Sequence, residues 1–201
     1  MYKVNEIFYS LQGEGAWSGT PMVFVRLSGC NLKCAFCDTA HESFREMSAE
    51  QIVAEAVEAG EECRMLCLTG GEPTLQCDES LVSALHKAGF SIHIETNGTK
   101  PLPEGIDWIT VSPKLGLPGV KGNAALKIQH IDELKLVYVP GMEEDSIEKW
   151  ASVYAEFHFL QPCDLGDEEK NRLCLEETID YIKKHPEWSL SLQMHKYLRI
   201  R

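Results

Sequence analysis

Apolar residues occur along the whole chain in short runs separated by amphipathic stretches. Residues 4–9, 22–27, 64–69, 91–95, 106–111, 133–139, 157–160 and 189–194 have the length and the apolar or β-branched content of strands. Helical patterns lie between several of them. Ser48 starts one, with Gln51 placed to close a capping box and Ile52, Val53, Ala56 and Val57 as its apolar stripe. A second covers 79–87 and closes at Gly89, a third covers 146–154, and the longest, 168–184, is stopped by Pro186. Residues 10–15 and 115–130, rich in glycine, are predicted loops, the second a candidate mobile segment.

Strands alternating with helices imply parallel pairing through right-handed crossovers. A full eight-stranded barrel takes ~250 residues. This chain has 201, and its connection from 98 to 106 has no room for a helix. The expected fold is α/β, an incomplete TIM-type barrel of about six mostly parallel strands, in a single domain over residues 1–201. Such a sheet keeps an open edge, and a homodimer is one way to cover it.

Composition adds limits. A content of 44% hydrophobic and 25% charged residues is ordinary for a soluble globular chain. The net charge of −12 argues against a general nucleic-acid surface. No apolar run approaches the ~18 residues of a membrane span, and the N-terminus lacks the apolar core of a signal peptide. The expected location is the cytoplasm, without direct nucleic-acid or membrane partners. Among the eight cysteines, Cys63, Cys67, Cys77, Cys163 and Cys174 show no paired spacing.

The chemistry concentrates at Cys30-Asn31-Leu32-Lys33-Cys34-Ala35-Phe36-Cys37-Asp38-Thr39. Three thiolates at this spacing can face one point in a short loop and hold three corners of a [4Fe–4S] cluster, leaving one iron open. The same cysteines with His41 also suit a Cys₃His zinc site. Elsewhere, four strands end in small or polar residues: Thr69-Gly70-Gly71-Glu72-Pro73, Glu95-Thr96-Asn97-Gly98, Ser112-Pro113-Lys114 and Gln161-Pro162. Carboxyl ends of parallel strands are where such folds bind ligands, and paired glycines let backbone approach a ligand closely. Taken singly, Gly-Gly-Glu-Pro is equally a turn.

A cysteine loop after one strand and Gly-Gly-Glu-Pro after the next resembles the radical S-adenosylmethionine (radical SAM) superfamily. Ser10-Leu11-Gln12-Gly13-Glu14-Gly15, Gly19, Arg26, Cys37-Asp38-Thr39 and the ending Gln193-Met194-His195-Lys196-Tyr197 narrow the resemblance to the 7-carboxy-7-deazaguanine synthases. That family implies an abbreviated barrel, a homodimer, a [4Fe–4S] cluster on Cys30, Cys34 and Cys37, S-adenosylmethionine and Mg²⁺. It implies conversion of 6-carboxy-5,6,7,8-tetrahydropterin to 7-carboxy-7-deazaguanine with loss of ammonia. Reductive cleavage of S-adenosylmethionine would give a 5′-deoxyadenosyl radical that takes hydrogen from substrate C6, with flavodoxin or ferredoxin as electron donor.

By the same resemblance Gly71 and Glu72, Thr96 and Asn97, Ser112, Pro113 and Lys114, and Gln161, Pro162, Cys163 and Asp164 are expected around S-adenosylmethionine. Leu11, Gln12, Gly13, Glu14, Arg26, Thr69, His195, Lys196 and the terminal Arg201 are expected at the pterin, and Thr39 at Mg²⁺. The residue types suit these roles. Glu14 can accept from two adjacent N–H donors, the Gln12 amide can donate and accept, and Arg26 can grip a carboxylate in two places. Read alone, Gln12, Glu14 and Thr39 are turn residues, Arg26 a surface ion pair, and His195 and Lys196 a strand end. A glycyl-radical activase shares the cysteine spacing, and a zinc-stapled binding module or small electron carrier is the alternative from another class.

Overall fold

The computed structural model describes residues 1–201. In chain order it contains β1 (Tyr2–Leu11), β2 (Pro21–Leu27), β3 (Lys33–Cys34), β4 (Arg45–Met47), α1 (Ala49–Gly60), β5 (Met65–Gly70), α2 (Glu79–Lys87) and β6 (Ser91–Thr96). There follow β7 (Trp108–Val111), β8 (Val120–Lys121), β9 (Glu133–Tyr138), α3 (Glu144–Ala151), β10 (Phe157–Pro162), α4 (Glu168–Lys184), β11 (Ser189–Leu190) and α5 (Met194–Leu198). Nine strands form one sheet in the order β11-β10-β9-β7-β6-β5-β2-β1-β4, and its two ends do not pair with each other. From β2 to β11 every neighbour is parallel. Residues of β1 and β10, far apart in this order, line one cavity, so the sheet curls. It is an incomplete TIM-type barrel.

Local sequence chemistry accounts for the helices. Ser48 and Gln51 form the capping box that starts α1. Asp78 and Asp167 cap α2 and α4 by accepting backbone N–H groups from Leu81 and Lys170. The helices cover one face of the sheet, and the main core is a cluster of 32 buried residues that includes Ile52, Leu68, Leu81, Ile94 and Leu136. Alternation in β9 sends Leu134, Leu136 and Tyr138 to that core, while Lys135 and Val137 face the barrel interior.

The structure departs from expectation in four places. β1 runs antiparallel to β2, and β4 is added antiparallel outside it, because the short turn between β1 and β2 allows only a hairpin. The 115–130 loop contains β8, which pairs with β3 inside the cysteine loop. α3 begins at Glu144 and ends at Ala151, earlier than 146–154. The last strand stops at Leu190 because Met194 N–H donates to Gly13 O at 2.9 Å rather than to a sheet neighbour. His195 and Lys196 therefore sit on the short helix α5 and do not end a strand.

Candidate active site

The end of β5 builds the first wall. Gly70 has φ +127°, and a Cβ there would lie 1.9 Å from Leu27 O; one on Gly71 would lie 2.1 Å from Gly29 O. Only glycine lets this strand end press against the cysteine loop. Glu72 follows, fully buried. Its Oε1 accepts from Thr74 Oγ1 and Thr96 Oγ1, each at 2.6 Å, and its Oε2 from Asn97 N at 2.7 Å. Asn97 donates onward to Asn31 Oδ1 at 3.1 Å, and Asn31 to Thr99 Oγ1 at 2.7 Å. One carboxylate thus ties two strand ends together, and Asn31 joins them to the cysteine loop.

Cys30, Cys34 and Cys37 are free thiols on the rim of the same cavity of about 690 Å³. Burial pushes the Cys30 and Cys34 thiols up; Lys114 partly offsets this at Cys34. No three His, Cys, Asp or Glu side chains converge closely enough to grip one metal ion, His41 included. Three free thiols from one short loop that line one cavity suit three corners of an iron–sulfur cube. The donor set fits the cluster.

Opposite the thiols lies a buried charge network. Lys135 Nζ donates to Glu14 Oε2 at 2.6 Å and to both Glu95 oxygens at 2.9 and 3.1 Å. Gln12 Nε2 adds a longer contact to Glu95 at 3.4 Å, and Gln193 Nε2 donates to Glu14 Oε1 at 3.0 Å. Burial alone would raise Glu14, but the Lys135 ammonium overrides it and holds the carboxyl down at about 2. Glu95 shares the same ammonium, and there burial prevails and raises it. Two carboxylates compete for one cation, and Glu14 keeps its charge. At the mouth, Lys196 Nζ bridges Asp38 Oδ2 at 2.8 Å and Asp164 Oδ2 at 2.7 Å, pinning the cysteine loop to the end of β10.

The radical SAM superfamily pattern matches residues 24–121. A 7-carboxy-7-deazaguanine synthase from Bacteroides thetaiotaomicron is 49% identical over 201 residues, covering 100% of both chains. One from Burkholderia multivorans is 43% identical, covering 99% of each. The chain belongs to the 7-carboxy-7-deazaguanine synthase family. The crystal structure of QueE from Escherichia coli agrees, with a TM-score of 0.74 at 30% identity over 96% of this chain and 94% of that one. Streptococcus suis SuiB, at 18% identity and a TM-score of 0.55, shares the fold. Membership in this radical SAM family implies a [4Fe–4S] cluster and S-adenosylmethionine.

Most residues singled out from the sequence of this synthase-family chain line the one cavity: Gln12 and Glu14 from the loop after β1, Arg26 and Thr69 from β2 and β5, Ser112, Lys114 and Gln161 to Asp164 from later strand ends, and Thr39 in the cysteine loop. Glu72 and Pro113 do not. The Glu72 oxygens accept from Thr74, Thr96 and Asn97, so it shapes the wall from behind. Arg26 is paired with Glu6 at 2.9 Å. Arg201 also pairs with Glu6, and its carbonyl accepts from Ser10 Oγ at 2.6 Å, which folds the C-terminus onto β1 at the cavity mouth. Sequence reasoning missed Lys135, Glu95, Gln193 and Asp38 as cavity residues. A signal existed for Lys135 and Glu95: each is a charged residue at an inward position of a buried parallel strand.

Proposed function

We propose that this chain converts 6-carboxy-5,6,7,8-tetrahydropterin to 7-carboxy-7-deazaguanine as a magnesium-dependent carbon–nitrogen lyase. One observation carries the reading: a single cavity joins three free cysteines to Glu14, paired with buried Lys135 at 2.6 Å. The amino-oxo pyrimidine edge of a pterin presents adjacent N–H donors, which an anionic Glu14 accepts and the Gln12 amide complements. Arg26, turning from Glu6, grips the substrate carboxylate, and the folded C-terminus at Arg201 with His195 closes that side. The bound cluster and S-adenosylmethionine supply the one-electron bond cleavage that yields a hydrogen-abstracting radical. Gly71, the Thr96–Asn97 turn, Ser112, Lys114 and residues 161–164 hold S-adenosylmethionine between the cysteine loop and the strand ends.

Thr39 is the protein's contact for Mg²⁺. Its Oγ1 lies 3.5 Å from Asp38 Oδ1, an anionic neighbour that would favour a dication held at Thr39. The protein works as one domain, as a cytoplasmic homodimer, with flavodoxin or ferredoxin as reductant. Anaerobic reconstitution with iron and sulfide, then assay of 5′-deoxyadenosine and of the pterin product by mass, tests the reaction. Formation of 5′-deoxyadenosine without ring contraction refutes the substrate. In the Thr39→Ala variant the response of turnover to Mg²⁺ is expected to change with iron content intact; an unchanged response removes Thr39 from the metal site.

A further inference from the structure

Resting on the ligand sites of the proposed reaction, we propose that Ser191, Gln193 and Lys196 are positioning residues that couple the S-adenosylmethionine site to the pterin site, so that each ligand tightens the binding of the other. Three segments carry the contacts: residues 12–15 at the pterin, 38–39 at the exit of the cysteine loop, and 161–164 at S-adenosylmethionine. Each of the three side chains bridges a different pair of them. Ser191 Oγ accepts from Gly15 N at 3.0 Å and donates to Gln161 Oε1 at 2.8 Å, joining the pterin turn to β10. Gln193 Nε2 donates to Glu14 Oε1 at 3.0 Å and to Asp38 Oδ2 at 3.1 Å, joining the same turn to the cysteine loop. Lys196 Nζ closes the triangle, donating to Asp38 Oδ2 at 2.8 Å and to Asp164 Oδ2 at 2.7 Å.

The backbone of residues 191–196 is fixed to the same neighbours. Ser191 N–H donates to Leu160 O at 3.0 Å, and Met194 N–H to Gly13 O at 2.9 Å. A Cβ on Gly13 would lie 2.3 Å from His195 Nδ1 and 3.0 Å from its backbone N, so only glycine lets the turn and this segment close on each other. Gln193 and Lys196 line the cavity, whereas Ser191 does not. Ser191 and Gln161 are both buried. Ser191 therefore acts through the groups it holds, and a shift of either partner strands a buried polar atom.

Helix α5 buries none of its five residues, so polar bonds rather than a core hold this end of the chain. A ligand seated on residues 161–164 orders the segment from one side, and a ligand seated on residues 12–14 orders it from the other. Whichever arrives first meets the ordering cost, and the second binds more tightly. Linkage makes the effect mutual. S-adenosylmethionine is then held most firmly when the pterin is already in place.

Equilibrium titrations of the reconstituted, unreduced enzyme measure the Kd of 6-carboxy-5,6,7,8-tetrahydropterin with and without saturating S-adenosylmethionine. In wild type the two values are expected to differ at least about fivefold, and Ser191→Ala is expected to cut that ratio at least roughly threefold. A residue that serves only the fold or only one ligand moves both values together and leaves their ratio alone. Ser152→Ala, which removes a hydroxyl bonded to Lys149 O after α3, is the control and is expected to leave the ratio unchanged. A wild-type ratio near one, an unchanged ratio in Ser191→Ala, or an equal change in both variants overturns the proposal. Should Ser191→Ala fail to fold, Lys196→Met at the cavity mouth carries the same expectations and the same refutation. Hydrogen exchange reads the coupling without pterin: S-adenosylmethionine is expected to slow exchange at residues 13–17 as well as 161–164 in wild type, and only at 161–164 in Ser191→Ala. Slowing at 13–17 that persists in the variant overturns the proposal. Wild-type protein that shows this protection yet leaves the pterin unchanged refutes the proposed reaction and not the coupling.

Discussion

The two sides of the cavity are built on opposite plans. On the β5–β6 side, Glu72 is buried and its oxygens are filled by donors from Thr74, Thr96 and Asn97. On the other side, Cys30 accepts one backbone N–H from Leu32 at 3.4 Å, and Cys37 makes only a 3.7 Å contact with Thr39 O. The first side is satisfied by protein and stands in place before a ligand arrives. The second keeps its sulfur lone pairs for something the chain does not provide. A ligand-ready cavity needs both: preset shape where an organic molecule rests, and unfilled coordination where a metal cluster binds.

If this contrast is right, mutations on the two sides separate function from stability. Cys34→Ser is expected to strip iron and lower S-adenosylmethionine cleavage by at least about 100-fold, with the unfolding free energy of the iron-free variant within about 0.5 kcal/mol of iron-free wild type. A large stability loss would mean the loop is as integral to the fold as the opposite wall. Lys135→Met strands Glu14 and Glu95 without their cation. Urea unfolding is expected to show a loss of about 3–5 kcal/mol, accompanied by loss of turnover; a loss near zero would show that water already screens the network. Glu72→Gln turns an amide donor toward three donor residues and is expected to cost about 2 kcal/mol. It is expected to raise the KM for S-adenosylmethionine while iron content holds, and iron loss in that variant would merge the two sides.

Legibility in the sequence followed the same divide. The cysteine spacing, the paired glycines and the helix caps are local, so their chemistry could be read from a few adjacent residues. The bounds of α2 and α4 match the sequence pattern because Asp78, Gly89 and Asp167 act within one turn. Long-range pairings left weaker traces. Lys135 meets Glu14 across 121 positions, and nothing near either residue names the other. The β3–β8 ribbon was hidden inside the cysteine loop and a glycine-rich loop, since two-residue strands carry no periodicity. Ser189 to Met194 reads as strand because it alternates, and only the tertiary bond from Met194 to Gly13 ends the strand early and turns the chain into α5.

The smallest expected effect concerns the far end of the barrel, which belongs to neither side. Glu133 is buried beside Trp17, His93 and Trp108, and its Oε2 accepts from Ala16 N at 2.9 Å. Burial, only partly offset by Lys135, pushes its carboxyl from 4.5 up to about 7. Between those values the folded chain holds a proton that the unfolded chain has released, so stability falls as pH rises through that window and levels above it. Buried His93 is shifted down by burial and contributes a slope of the opposite sign near its ordinary 6.5, so total stability alone does not isolate Glu133. The difference between wild type and Glu133→Gln does. Glutamine keeps an acceptor for Ala16 and carries no charge, so the variant is expected to gain up to about 2 kcal/mol over wild type at pH 8 and nothing at pH 4.5. Urea unfolding curves at pH 4.5, 6 and 8 measure it. A difference that stays constant with pH would mean that Glu133 is ionised throughout, held by Lys135 as the third carboxylate of the network above it.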